Sequence, residues 1–221
     1  MVQSVAIIGA GNMGSGIAQK SATEGFSVQM VDREEQWVDK GKDTIDKFLQ
    51  EALERRIFRP EQAEGIKSRI RGVVGHENVS PDTDLVIEAV FEDFELKKEI
   101  FSSLDRTCGE NTILATNTSS LSVNELAQQV ERKDRFVGMH WFYHPAKNAW
   151  WRLSRPRPPP RSLQASLIQG TKNRFTTNPG LSLQTMMTLP IVLQYCSTAS
   201  IVSSEVVSAG MISTRRFLAG W

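Results

Sequence analysis

The chain has 221 residues and a formal net charge of +1, from 26 basic and 25 acidic residues. This length allows one large domain, or one domain and a fragment. The balanced charge argues against a nucleic-acid or anionic membrane partner chosen by bulk charge. Two cysteines and three histidines are too few for a disulfide framework and have no metal-ligand spacing, so we expect no metal.

Two stretches of the sequence bear on export and on membrane insertion. The first residues enter an apolar, strand-like run at Val5 without a basic region or a cleavage site, so we expect no signal peptide and a cytoplasmic location. The run at 189–201 contains Pro190, Gln194 and several Ser and Thr residues. It is poor as a membrane span, which needs roughly 20 mostly apolar residues.

Strand and helix patterns alternate through the first 148 residues. The sequence predicts strands at 4–8, 26–31, 72–75, 84–88, 112–116 and 135–139. It predicts helices at 13–23, 34–57, from 60 through 70, at 94–104 and at 122–130. This alternation predicts an α/β domain at 1–148, with a doubly wound, mostly parallel sheet and a helical insertion after the second strand.

The composition changes near Asn148. After Asp134 the only acidic residue is Glu205, and residues 152–161 read RLSRPRPPPR. Closely spaced prolines exclude a helix and favour an extended segment. We therefore expect residues 149–221 to form an irregular tail rich in Pro, Ser and Thr.

A glycine motif follows the first predicted strand and begins the first predicted helix. Gly9 suits a tight turn, Gly11 lets backbone approach a pyrophosphate, and Gly14 lets helix and strand pack closely. The free N–H groups of the helix N-terminus then favour the anion. The alternative is a glycine-rich turn without a ligand. The predicted cofactor-binding residues here are Gly9, Gly11, Asn12, Met13, Gly14 and Asp32.

Asp32 ends the second predicted strand, at the offset expected for a ribose contact. Its carboxylate would accept a hydrogen bond from the ribose 2′-hydroxyl and repel a 2′-phosphate, which favours NAD over NADP. Arg33, directly beside it, weakens that preference.

Four segments together resemble the NAD-binding half of the L-3-hydroxyacyl-CoA dehydrogenases, including the 3-hydroxybutyryl-CoA enzymes. They read VAIIGAGNMGSGIAQ, DLVIEAVFEDFELKKEIF, ILATNTSSLSV and RFVGMHWFYHPAKN. The resemblance implies a Rossmann-type fold, NAD as cofactor, an acyl-CoA substrate and a role in fatty-acid or butanoate metabolism. A related β-hydroxyacid dehydrogenase would share the glycine motif but not the last two segments.

The resemblance assigns roles to individual residues. It implies that Glu92 and Lys97 contact the cofactor's ribose and nicotinamide side, that Ser119 binds the substrate's 3-oxygen, and that His140 is the catalytic base. Tyr143 departs from the family, in which many members carry an Asn.

These residue types suit the implied reaction, in which C3 of a 3-hydroxyacyl thioester loses a hydride while a base removes the hydroxyl proton. An imidazole exchanges protons near neutral pH, as such a base must. The alternatives are that His140 is a polar loop residue and that Ser119 caps the helix at 122–130.

Family members carry a Glu twelve residues after the His, in a strand like R-L-V-E-V, and here that position is Arg152. Residues 149–155 can be written GCC TGG TGG AGG TTA TCC CGN. With one C added in front, these bases read CGC CTG GTG GAG GTT ATC CCG, which encodes Arg-Leu-Val-Glu-Val-Ile-Pro. The sequence therefore indicates a one-base deletion at Asn148 that shifts the reading frame of the tail.

The frameshift has consequences for function. By resemblance, the family's second domain is helical, forms the homodimer and completes the substrate pocket, and residues 149–221 do not resemble it. A domain without that partner would expose apolar surface. Two interpretations stay open, namely an NAD-dependent 3-hydroxyacyl-CoA dehydrogenase and a catalytically inactive NAD-binding remnant of one.

Overall fold

The computed structural model describes residues 2–146 and the backbone of residues 151–154. Within these ranges the chain forms a sheet of seven strands and five α-helices. The strands are β1 (Ser4–Ile8), β2 (Ser27–Asp32), β3 (Ile70–Val74), β4 (Leu85–Glu88), β5 (Ile113–Thr116), β6 (Phe136–Trp141) and β7 (Trp151–Ser154). The helices are α1 (Asn12–Thr23), α2 (Glu35–Glu54), α3 (Pro60–Ser68), α4 (Phe94–Thr107) and α5 (Val123–Ala127).

The strands lie in the order β3-β2-β1-β4-β5-β6-β7. β1 to β6 pair in parallel, and β7 pairs antiparallel with β6. The strand order changes direction between β1 and β4, and in open α/β sheets such a switch point opens a crevice at the carboxyl ends of the strands. The predicted doubly wound, mostly parallel sheet with a helical insertion after β2 is confirmed.

The core consists of apolar residues from the strands and the inner faces of the helices. Ala6 of β1 and Val86 of β4 are fully buried at the centre of the sheet. Phe101 of α4 meets Phe136 of β6 edge to face, with ring centroids 4.8 Å apart. Across the described residues, no helix is both long and apolar enough to cross a membrane.

The first helix of the insertion, α2, packs beside the glycine turn that follows β1. A Cβ on Gly41 of α2 would lie 2.9 Å from the Cβ of Ala10, so this glycine lets α2 approach the glycine turn closely. Phe48 of α2 stacks on His144, with ring centroids 5.3 Å apart. α2 therefore borders the carboxyl ends of β1 and β6.

Several predicted boundaries were wrong, and the first two described below differ because pairing in the sheet outweighs the local pattern. Ile70, expected at the end of a helix, begins β3 and pairs with Val28. His140, expected to follow the last strand, lies within β6, which is lengthened by its pairing with β7. The helix expected at 122–130 extends only over Val123–Ala127. β7 falls in the segment expected to be irregular, and residues 155–221 lie outside the described residues.

Candidate dinucleotide-binding and catalytic site

The glycine turn between β1 and α1 is closely packed at two of its glycines and open at the third. Gly9 has φ +103°, a conformation that L side chains rarely adopt, and a Cβ there would lie 2.7 Å from the carbonyl oxygen of Ala89. A Cβ on Gly14 would lie 1.7 Å from the carbonyl oxygen of Gly9. By contrast, a Cβ on Gly11 would meet nothing within 4 Å. Gly9 and Gly14 are thus required by the fold, whereas Gly11 leaves open space beside the turn.

The N-terminus of α1 begins at Asn12 and has no side-chain cap. The first N–H groups of a helix lack partners within it, so those of Asn12, Met13 and Gly14 are suited to an anion. With Gly11 open beside them, these residues fit the pyrophosphate of a dinucleotide. Their contact with the cofactor stays a prediction.

Asp32 lies at the end of β2, next to the glycine turn. One carboxylate oxygen accepts a hydrogen bond from the Ala10 N–H at 2.8 Å, and the other accepts from the Arg33 N–H at 2.8 Å. These bonds fix the carboxylate where the sequence places the ribose contact. The Arg33 side chain is 74% exposed, and its Nε lies 3.2 Å from Glu34 Oε1. Arg33 thus forms an exposed ion pair, of a kind that contributes little to stability.

Gly11 and Gly14 provide a matched test of the nucleotide site. Gly11→Ala should change the free energy of unfolding by less than about 1 kcal/mol, because its new methyl group meets no neighbour. It should weaken NADH binding at least about tenfold by blocking close approach to the backbone. Gly14→Ala should instead cost about 1–3 kcal/mol of stability through the backbone clash. Urea unfolding and a fluorescence titration with NADH measure the two effects, and equal NADH affinity in wild type and Gly11→Ala would contradict the assignment.

A buried charge cluster lies at the carboxyl ends of β4 and β5. Glu88 is fully buried, and its Oε1 accepts hydrogen bonds from Lys97 Nζ at 2.5 Å and from the Val90 N–H at 2.8 Å. Its Oε2 accepts from the Thr116 hydroxyl at 2.7 Å. Lys97 is 1% exposed, and its Nζ also lies 3.2 Å from Glu92 Oε2. Each buried charge is therefore paired, as burial requires.

Glu92 joins this cluster to the turn after β5. Its Oε1 accepts hydrogen bonds from the Thr118 hydroxyl, from the backbone N–H groups of Ser119 at 3.0 Å and Ser120 at 3.1 Å, and from the Ser120 hydroxyl at 3.0 Å. Burial by itself would raise the pKa of Glu92. The hydrogen bonds from Thr118 and Ser120 and the charge of Lys97 outweigh it and lower that pKa to about 2. The carboxylate is therefore ionised throughout the range in which an enzyme works.

Glu92 and Lys97 contact each other, and each also bonds to another group of the protein. The predicted contact of these two side chains with the cofactor stays a prediction. Glu92, with a side chain 35% exposed, borders solvent, whereas the ammonium of Lys97 lies between two carboxylates.

Ser119 and His140 lie at the same end of neighbouring strands. β5 and β6 pair at Thr116↔Gly138, so both residues come shortly after that pair. The cap of α5 is Ser122, whose hydroxyl accepts from the Glu125 N–H at 3.3 Å, so the alternative of Ser119 as the helix cap is wrong. Within the described part of the chain, the Ser119 hydroxyl has no hydrogen-bond partner that would occupy it.

The register of β6 and β7 places Arg152 directly opposite His140. Paired positions in an antiparallel sheet are the closest cross-strand neighbours. The sequence position at which the family carries its Glu is thus the backbone neighbour of the predicted base.

Sequence reasoning did not single out Glu88, Thr118 or Asn117. Asn117 Oδ1 accepts from the Trp141 N–H at 2.7 Å and so links the ends of β5 and β6. A signal for Glu88 was present, because an acid inside the apolar run 85–88 must be paired when that run is a buried strand. No group of His, Cys, Asp and Glu among the described residues is arranged to hold a metal ion.

A parallel sheet with a glycine turn at its switch point, an acid at the end of β2 and polar residues along the same edge defines a dinucleotide-binding domain of an oxidoreductase. Residues 4–149 match the family model described as 3-hydroxyacyl-CoA dehydrogenase, NAD binding domain. The chain belongs to this family, and NAD is its cofactor.

Relatives with known names agree with this assignment. The chain is 41% identical over 138 residues to 3-hydroxybutyryl-CoA dehydrogenase of Clostridioides difficile, covering 62% of this chain and 49% of that protein. It is 37% identical over 147 residues to the mitochondrial hydroxyacyl-coenzyme A dehydrogenase of Homo sapiens, covering 64% and 47%. The crystal structure of (S)-3-hydroxybutyryl-CoA dehydrogenase from Ralstonia eutropha matches with a TM-score of 0.68 at 36% identity, covering 76% of this chain and 59% of that one. The chain thus spans about half the length of the curated relatives it matches.

Proposed function

We propose that this domain serves the NAD-dependent oxidation of L-3-hydroxyacyl-CoA, such as 3-hydroxybutyryl-CoA, to 3-oxoacyl-CoA. The observation that carries the proposal is that one sheet edge combines an open glycine turn with the polar turn at Ser119 and with His140. The names of the relatives supply the substrate class, an acyl-CoA thioester.

The residues of this chain would divide the work as follows. The N–H groups at Gly11 to Gly14 would bind the pyrophosphate and Asp32 the ribose, and NAD held there would supply the hydride acceptor for C3. Ser119 donates a hydrogen bond to the 3-oxygen. His140 takes the hydroxyl proton as the general base.

The position opposite His140 decides how well this chain performs that step. A carboxylate there would orient the imidazole and stabilise its protonated form, as the Asp of a serine-protease triad does. This chain has Arg152, a cation, in the paired position. We infer that the tail from residue 149 is read in a shifted frame, and that the chain as written is an NAD-binding form with little turnover. The domain boundary at 148, the family's homodimer and a cytoplasmic location also stay proposals.

Two measurements on the purified chain separate the possibilities. A fluorescence titration with NADH is expected to show saturable binding. The rate of acetoacetyl-CoA reduction, followed by NADH absorbance, is expected to be low and to fall no further in His140→Ala. Robust turnover abolished by His140→Ala would exclude the inactive remnant. A folded chain without affinity for NADH would contradict the proposed function altogether.

A further inference from the structure

Glu88 bonds to three separate segments around the candidate site, although no contact with cofactor or substrate is proposed for it. Its carboxylate holds the Val90 N–H after β4, the Thr116 hydroxyl at the end of β5 and Lys97 of α4. All three partners are donors, so an ionised carboxylate satisfies every one of them. A buried acid with three donors from three segments fixes those segments relative to one another.

One of these contacts reaches the nucleotide side of the site. The hydrogen bond from the Val90 N–H to Glu88 lies directly after β4, and the adjoining Ala89 N–H donates to the carbonyl oxygen of Ile8 at 2.8 Å. The carbonyl oxygen of Ala89 is the atom that a Cβ on Gly9 would strike. The backbone held by Glu88 is therefore the surface against which the glycine turn packs.

A second contact reaches the predicted substrate side. Lys97 holds Glu92 Oε2 at 3.2 Å, and Glu92 Oε1 accepts the N–H groups of Ser119 and Ser120. These bonds leave the Ser119 hydroxyl outside the cluster. Lys97 is thereby the link between a fully buried carboxylate and one at the surface.

We propose that Glu88 is a positioning residue which, through Lys97 and Glu92, fixes the turn that presents the Ser119 hydroxyl, and which fixes the wall of the nucleotide crevice through Val90. The proposal deepens the proposed function and rests on it for the role of Ser119. Glu88 itself is buried and acts only through these neighbours.

The double variant Glu88→Gln/Lys97→Met tests the proposal without leaving a lone buried charge. The Gln carbonyl still accepts from Val90, and its amide can donate to the Thr116 hydroxyl, so the variant keeps its fold. Glu92 loses its cationic partner. We expect a melting temperature close to that of the wild type and Ser119 and Ser120 amides that exchange hydrogen at least about tenfold faster, since a charge-assisted hydrogen bond contributes about 1.5–3 kcal/mol.

Asp105→Asn/Arg132→Gln is the matched control, because it removes the 2.5 Å ion pair at the other end of α4. It should leave exchange at Ser119 and Ser120 unchanged. Unchanged exchange in a folded Glu88→Gln/Lys97→Met protein overturns the proposal, and so does equal acceleration in the control. The exchange measurement needs no ligand. A wild-type chain that fails to bind NADH would therefore contradict the proposed function, while the exchange data still decide whether the buried Glu88–Lys97 pair positions the turn.

Discussion

Restoring the one nucleotide proposed to be missing at the codon of Asn148 should yield a chain that reduces acetoacetyl-CoA at least about 100-fold faster than the chain as written. General acid–base help is typically worth about 10²–10⁴ in rate. Under the proposed frameshift, the restored frame encodes Glu at position 152, which pairs with His140 in the sheet. It would also restore whatever substrate-binding residues follow. The measurement is kcat with saturating NADH and acetoacetyl-CoA.

Two variants divide this gain between its sources. Arg152→Glu in the chain as written supplies the carboxylate alone, so its gain reports the partner of His140 without any other residue of the restored frame. His140→Ala in the restored chain should remove most of the gain. A restored chain no faster than the original would show that the reading frame is wrongly assigned. A restored chain whose rate is unchanged by His140→Ala would show that His140 is not the catalytic base.

The sequence was sufficient for those parts of the fold that depend on local pattern. Apolar runs with turn residues between them predicted β1, β4 and β5 to within a residue, because a buried parallel strand is apolar along its whole length. The glycine motif was sufficient for the turn, since Gly9 and Gly14 are each required by a specific close approach of backbone.

The remaining features depend on pairing between distant segments, which no local pattern contains. β6 reaches Trp141 only because β7 pairs with it. The resemblance implies that Glu92 and Lys97 contact a cofactor, but in the structure both side chains bond to other groups of the protein. Glu92 accepts hydrogen bonds from the turn after β5, and Lys97 neutralises Glu88. A single sequence places these residues in order along the chain without indicating which carboxylate the lysine meets.

Lys97→Met alone should lower the free energy of unfolding by about 3–5 kcal/mol, the usual cost of removing one partner of a buried ion pair. The variant leaves Glu88, 0% exposed, with two neutral donors and no cation. Such a loss is a large part of the 5–15 kcal/mol that ordinarily stabilises a domain. Urea unfolding followed by circular dichroism measures it.

Adding Glu88→Gln to Lys97→Met should recover most of this loss, because the damage comes from the uncompensated carboxylate and not from the missing lysine. Glu88→Gln alone should be much milder than Lys97→Met, since it leaves Lys97 paired with Glu92 at 3.2 Å. A Lys97→Met protein as stable as the wild type, or a double variant no better than the single one, would mean that the pair is not what stabilises this end of the sheet. The asymmetry between the two single variants distinguishes a charge effect from a packing effect, because both replacements fill nearly the volume of the residue they replace.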